Sequence, residues 1–501
     1  MLFNSYEFIF IFLPLSFFIY FFLLQKRLMV GAKSFLVFAS LFFYSWWNIA
    51  YLPIILSSLL FNYVIGNSLN ENFKKVQVTK RSILIFGIVA NIALLGYFKY
   101  TDFLIENINL VFDTSVPLLH LALPLAISFF TFQQIAYLVD SYRGETAEYD
   151  FLNYTLFVTF FPQLIAGPIV HHAEMMPQFA SRWNMVKNYK NIAFGLFIFS
   201  IGLFKKVVIA DSFGVWATAG FDTAKTLNFF EAWATSLSYT FQLYFDFSGY
   251  TDMAIGAALL FNIKLPINFN SPYKALDIQD FWRRWHITLS RFLKDYIYIP
   301  LGGNRKGSFR TYINLLATFI IGGIWHGAGW TFMFWGFLHG MALVTHRFWK
   351  AIGMTMPKIL AWFITFNFIN IAWVFFRAKE WDDATKVLSG MFSLDNVIIS
   401  KQFANILNYV NPMSEYFKVN GNDFKSFINV YTLEMLLLGF ILILFKNTTE
   451  YINYKNTKSN LNGNVLFTVK NVLFISILLF YTFIISFFGH GSNSEFLYFN
   501  F

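Results

Sequence analysis

The 501-residue sequence contains no cysteine. A disulfide framework, a thiolate metal site and a cysteine nucleophile are therefore excluded. Charge is scarce as well. Asp, Glu, Lys and Arg together supply 13% of the residues, against about 25% in an ordinary soluble domain. A soluble chain of this length could not cover its surface with so few charges. Regular ten-residue alternation of apolar and polar residues is also missing, which excludes a membrane β-barrel. No internal repeat and no domain-sized linker interrupt the sequence.

What fills the chain instead is apolar and aromatic. Apolar types make up 57% of it, and 68 Phe, 14 Trp and 26 Tyr bring the aromatic share to 22%. Apolar runs of about 18 residues or more recur along the whole chain, each long enough to cross a bilayer as a helix. A window of about 19 residues gives roughly eleven to thirteen spanning or re-entrant segments. The expected fold class is an all-α polytopic membrane protein, with residues 1–501 as one integral domain. The first run, residues 8–24, has no basic flank before it and no small-residue cleavage site after it, so it reads as a retained helix.

The net charge of +10 sits in short loops, where it sets topology and meets lipid headgroups rather than nucleic acid. Lys26, Arg27 and Lys33 follow the first run. Lys74, Lys75, Lys80 and Arg81 follow the third. The tip between the second and third carries Trp46, Trp47, Tyr51 and Pro53. Basic loops inside and the aromatic tip outside place the N-terminus outside. Lys205 and Lys206 mark a further cytoplasmic edge. Residues 378–426 form a polar insert, and a last helix over about 465–488 delivers the tail, residues 489–501, to the outer side.

Ionisable residues inside apolar sequence are costly, so each is a functional candidate. Residues 244–252 read YFDFSGYTD. Asp246 and Asp252 flank Ser248-Gly249, a pair expected to break or kink a helix, with the carboxylates paired to nearby arginine. Residues 280–298 read DFWRRWHITLSRFLKDYIY. At 100° per residue, Phe281, Trp282, Trp285, Leu289, Phe292 and Tyr296 share one face. Arg283, His286, Ser290 and Lys294 share another, with Arg284 and Arg291 beside them. This predicts one amphipathic interfacial helix, serving either as a lipid anchor or as a basic rim for an anionic substrate. The following LGGNRKG adds Arg305 and Lys306 but lacks the Walker spacing.

Residues 322–330, GGIWHGAGW, place His326 among four glycines. Removing side-chain bulk lets a slender chain or another backbone approach the imidazole. Imidazole is the side chain best suited to accept a proton near neutral pH. His326 is therefore the leading catalytic candidate. His339 and His346 lie in the next helix, where His339 could face the same cavity. His171 and His172 follow a Gly-Pro turn. The eight histidines show no metal-ligand spacing, and no metal is expected.

These strings also carry a resemblance. FQLYFDFSGYTDMAIG (241–256), LPINFNSP (265–272), DFWRRWHITLS (280–290), YIPLGGNRKG and GGIWHGAGWTFMFWGFLHG are similar to the membrane-bound O-acyltransferase (MBOAT) family. The alginate and peptidoglycan O-acetyltransferase branch is the nearest. FFPQLIAGPI (160–169), AWVFFRA (372–378) and the opening residues 1–14 fit the same branch, so the likeness spans nearly the whole chain. The resemblance implies about eleven helices with re-entrant segments around a tunnel. It makes His326 the essential residue at the narrow point and His286 the second motif histidine. It implies acetyl-CoA as donor on the cytoplasmic side of a bacterial inner membrane, held through Arg283, Arg284, Arg305 and Lys306, with no metal. Asn270 and Ser290 are candidate oxyanion donors, and Asp246 is a structural polar residue. The ending FLYFNF is similar to tails whose tyrosine carries the acyl group, which marks Tyr498; the alternative is an aromatic anchor. The implied partners are a periplasmic SGNH-type acetyltransferase or acetyl acceptor protein, a polysaccharide acceptor and membrane lipids, with no nucleic acid. Peptidoglycan leads over alginate because Phe, Lys, Ile and Asn richness reflects an AT-rich genome. D-alanyl transfer to teichoic acid is the enzyme rival. A proton-coupled transporter would show half-to-half symmetry, which is absent.

Overall fold

The computed structural model describes residues 1–70, 79–146, 150–399, 418–419 and 430–445, with isolated positions at 428, 447–448, 479, 482 and 496–497. Apart from a parallel pairing of Ile398–Ile399 with Lys418–Val419, the regular structure among these residues is helical. Five described helices are long and apolar enough to span a bilayer: Glu7–Gln25, Ile49–Leu69, Lys80–Lys99, Tyr189–Thr223 and Lys358–Arg377. Met29–Ser45 and Tyr431–Leu444 are shorter apolar helices. Gly307–His326 and Trp330–Ala351 are long, at 20 and 22 residues, but carry more polar side chains. Spanning helices turn apolar residues outward. On Lys80–Lys99, Ile85, Phe86, Val89 and Ile92 form an exposed stripe at helical spacing, a lipid-facing surface.

The chain forms two compact units. One comprises Met1–Phe204, Gly249–Asn268 and Ser459–Phe501, and the other Lys205–Ser248 and Phe269–Lys458. In the first, Phe8, Phe12, Phe43 and Phe161 interlock in the core. Phe12 and Phe161 meet edge to face with centroids 5.2 Å apart, a favoured quadrupole geometry. Asn62 and Asn91 exchange amide hydrogen bonds of 3.1 and 2.7 Å, Asn62 also donates to Gln134, and Ser58 donates to Gln134 at 2.9 Å. Three helices are thereby tied together where no water can serve.

The Ser248-Gly249 pair does not break its helix, which runs unbroken over Phe229–Leu260. The glycine serves packing instead. A Cβ on Gly202 would stand 2.5 Å from the Gly249 carbonyl, and one on Gly256 2.5 Å from the Gly195 carbonyl. Helix Tyr189–Phe204 thus lies against residues 249–256 with backbones nearly touching. In the second unit, Lys206 does not mark a solvent edge. It is 4% exposed and bridges Asp246 at 2.7 Å and Asp211 at 2.9 Å. Asp246 thus pairs with a lysine. Two carboxylates draw the ammonium inward, because a charge in apolar surroundings is tolerated only when paired.

Of the polar insert, the described part begins with helix Trp381–Phe392, started by a reciprocal Glu380–Asp383 capping box. Nearly all of 400–426, the expected helix 465–488 and Tyr498 lie outside the described residues.

Replacing Asn62 with Leu should remove its hydrogen bonds to Asn91 and Gln134, leaving Asn91 without its cross-helix partner while Gln134 keeps Ser58. The expected cost is about 1–2 kcal/mol, read as a lower thermal midpoint in detergent. Asn62→Leu combined with Asn91→Leu should cost less than the sum of the singles.

Candidate active site

The site is built in the second unit from two antiparallel helices whose backbones meet closely at glycines. A Cβ on Gly323 would collide with the Phe332 carbonyl, and one on Gly336 with the Phe319 carbonyl. Gly340 approaches the Leu316 Cα, where a Cβ would stand at 3.1 Å. Helices Gly307–His326 and Trp330–Ala351 therefore meet backbone to backbone. Of the two uses open to the glycines around His326, Gly323 serves the approach of another backbone. Gly327 makes room for the Phe332 ring, and Gly322 faces Leu293.

His326 ends the first helix, and the chain leaves through extended Gly327. The imidazole is 4% exposed. Trp325, Trp335 and Phe376 surround it at centroid distances of 4.8, 5.1 and 5.0 Å. Phe376 is held by its neighbour Arg377, which forks onto both oxygens of Asp222, with Lys379 3.4 Å from the same carboxylate. The AWVFFRA string thus braces one wall of the site.

Residues 280–298 do not form one amphipathic helix. Helix Ile278–Arg284 stops, His286 takes a left-handed conformation with φ 42°, and a new helix runs over Ile287–Leu293. A π-helical turn, Lys294–Tyr298, follows. The break turns His286 away from the predicted polar face. Its ring is fully buried, edge-on to Phe247 at 4.7 Å. Sequence periodicity could not show this, because residues on both sides keep helical spacing.

A cavity of about 650 Å³ opens beside these segments. Trp282, Arg283, Ser290 and Lys294 line it from one side, and Leu343, His346, Arg347 and Lys350 from helix Trp330–Ala351. No carboxylate is among the described lining residues. Nearby, Asp277 lies 3.5 Å from His346 and Asp295 3.5 Å from Lys294. The lining is basic on balance and suits a multiply charged anion.

The predicted anion-binding residues divide. Arg283 lines the cavity. Arg284 binds Asp280 at 2.9 Å and the Asn270 carbonyl at 3.4 Å, while Asn270 N–H donates to the Arg284 carbonyl at 2.9 Å. Arg284 and Asn270 thus fasten the loop. Arg305 and Lys306 are exposed and lie outside the lining. Ser290 lines the cavity, and its hydroxyl donates to the Trp285 carbonyl at 3.4 Å. Asp252, His171 and His172 belong to the other unit. The pattern that could have found Arg347 and Lys350 is 343, 346, 347, 350, one face of a helix. Trp335 and His339 continue that face toward His326. From Trp335 to Lys350 the helix rises about 22 Å.

Residues 141–379 match the membrane-bound O-acyltransferase (MBOAT) family. Over 444 residues the chain is 57% identical to the peptidoglycan O-acetyltransferase of Helicobacter pylori, covering 82% of this chain and 84% of the relative. This chain belongs to the membrane-bound O-acyltransferase family. It is also 40% identical over 402 residues to the probable alginate O-acetylase of Pseudomonas aeruginosa, covering 78% and 75% of the two chains. A teichoic acid D-alanyltransferase of Streptococcus thermophilus is 27% identical over half of this chain and 68% of its own. As an MBOAT protein the chain is a membrane-embedded acyltransferase. The family match encloses the cavity, His286, His326 and the Arg377 brace.

Because Gly323 leaves no room for a methyl group, Gly323→Ala should separate the two helices and displace His326. The expected cost is about 1–3 kcal/mol of stability with loss of acyl transfer. Thermal midpoint and activity per folded molecule, measured on the same preparation, check both.

Proposed function

We propose that this MBOAT enzyme takes an acetyl group from cytoplasmic acetyl-CoA and relays it across the bacterial inner membrane for O-acetylation of peptidoglycan. The observation that carries the reading is the basic cavity, one wall of which is helix Trp330–Ala351, the helix that also packs Trp335 against His326. Arg283, Lys294, Arg347 and Lys350 receive the donor's phosphates, which are multiply charged and suited to a field of several cations. The thioester end extends from the cavity toward His326.

There His326 acts as general base. It takes the proton from an acceptor hydroxyl, whose oxygen forms a bond to the acetyl carbon. The carbon–sulfur bond breaks, and the proton passes to the departing thiolate. The hydroxyl of Tyr498 is the acceptor in this reading, so the acetyl group becomes a tyrosyl ester. A periplasmic SGNH-type transferase then moves it to the polysaccharide. The choice of peptidoglycan follows the Helicobacter pylori relative at 57% identity.

Two experiments test this. Deletion of the gene should remove base-labile acetate from purified sacculi, and wild type should restore it where His326→Ala and Tyr498→Phe do not. Unchanged sacculus acetate would overturn peptidoglycan as the acceptor and point to an exported polysaccharide. In membrane vesicles, Arg347→Ala with Lys350→Ala should raise KM for acetyl-CoA roughly tenfold, about 1.4 kcal/mol of lost binding, with kcat little changed.

A further inference from the structure

His339 has no part in the chemistry just described, yet it sits at the centre of the site's packing. Its ring is fully buried. Trp282 lies 5.1 Å from it, Trp335 4.8 Å, Phe368 5.5 Å and Trp373 6.1 Å, with Phe281 and Phe319 each at 6.4 Å. These rings come from four helices: Ile278–Arg284, Gly307–His326, Trp330–Ala351 and Lys358–Arg377. None carries a charge. A histidine costs more than a hydrocarbon in such a nest, so its presence needs a reason.

The reason is one hydrogen bond. The Trp282 indole N–H donates to His339 Nδ1 at 3.2 Å. That bond assigns the ring proton to Nε2 and fixes the ring's orientation. It also fixes Trp282, an indole with two neighbourhoods. One is the wall of the basic cavity. The other is Trp335, 5.9 Å away, and Trp335 in turn contacts His326 at 5.1 Å. The imidazole of His339 is packed directly on that same Trp335.

We infer that His339 is a positioning residue for acyl transfer. Through its bond to Trp282 it holds the cavity wall, and through Trp335 it holds the orientation of His326. It exchanges no proton with substrate. Removing the acceptor leaves the Trp282 N–H without a partner in an apolar nest, an unfavourable state for a buried donor. The indole then rotates to find another partner, and Trp335 loses both supports.

The inference rests on the reading of His326 as the base, and the test separates the two. Full-length variants in membrane vesicles are supplied with acetyl-CoA, and release of the free CoA thiol is followed against pH. His339→Leu and Trp282→Phe should each lower kcat by roughly 10- to 100-fold, the scale of a misplaced catalytic group. The double variant should be no worse than either single, because one bond is lost in all three. His339→Gln, whose side-chain carbonyl can accept from the indole, should recover most of the rate and keep the shape of the wild-type pH profile. Rates are taken per folded molecule, so a variant that folds poorly is still scored through His339→Gln. Loss of activity in His339→Gln, or of one limb of its pH profile, would make His339 a proton-transfer group and overturn the inference. Full activity in His339→Leu would overturn it too. His326→Ala runs in parallel: wild-type rates there would sink the general-base reading itself.

Discussion

The site depends on the backbone contact between helices Gly307–His326 and Trp330–Ala351. Within lipid, no hydrophobic force pulls two apolar helices together. Close van der Waals contact has to do it, and that requires small residues on both surfaces. Gly323, Gly336 and Gly340 supply them. The distance this sets is what brings Trp335 to His326 and aligns one helix face between His326 and the basic cavity. A single methyl group on that seam would shift the imidazole and the cavity wall together.

Several polar groups within this fold are bound in pairs or clusters. Lys206 lies between two carboxylates, Arg377 grips Asp222, and the Asn62–Asn91–Gln134 cluster closes on itself. Each removes a group from a medium that offers no water. The site follows the same economy. Arg284 and Asn270 spend their hydrogen bonds on the loop, and His339 spends one nitrogen on Trp282. The cations of the cavity are organised otherwise, for Arg347 and Lys350 face a basic lining without an acid among its described members.

Much of this was legible in the sequence. The apolar runs announced a helical membrane protein, because a bilayer accepts long uncharged stretches only in that form. The glycines and the histidine of GGIWHGAGW marked a candidate segment, but what the missing bulk serves was decided by packing, with Gly323 against the Phe332 carbonyl and Gly327 against the Phe332 ring. Other features were not legible. The left-handed turn at His286 keeps helical spacing on both sides, so it leaves no mark in periodicity. Lys205-Lys206 looks like a loop edge until Asp246, some forty positions later, is folded against it. Ser248-Gly249 looks like a break until the chain 47 residues earlier is seen to need the space at Gly202.

The sequence by itself determined the medium, the helical class and the family, and marked His326 as the catalytic candidate, since these follow from composition and local strings. Tertiary structure alone decided which arginines and lysines share a cavity, which are spent on the scaffold, and that Trp282 binds His339. Those outcomes are set by distances between helices far apart in the chain, and such distances are fixed by packing rather than by any local pattern.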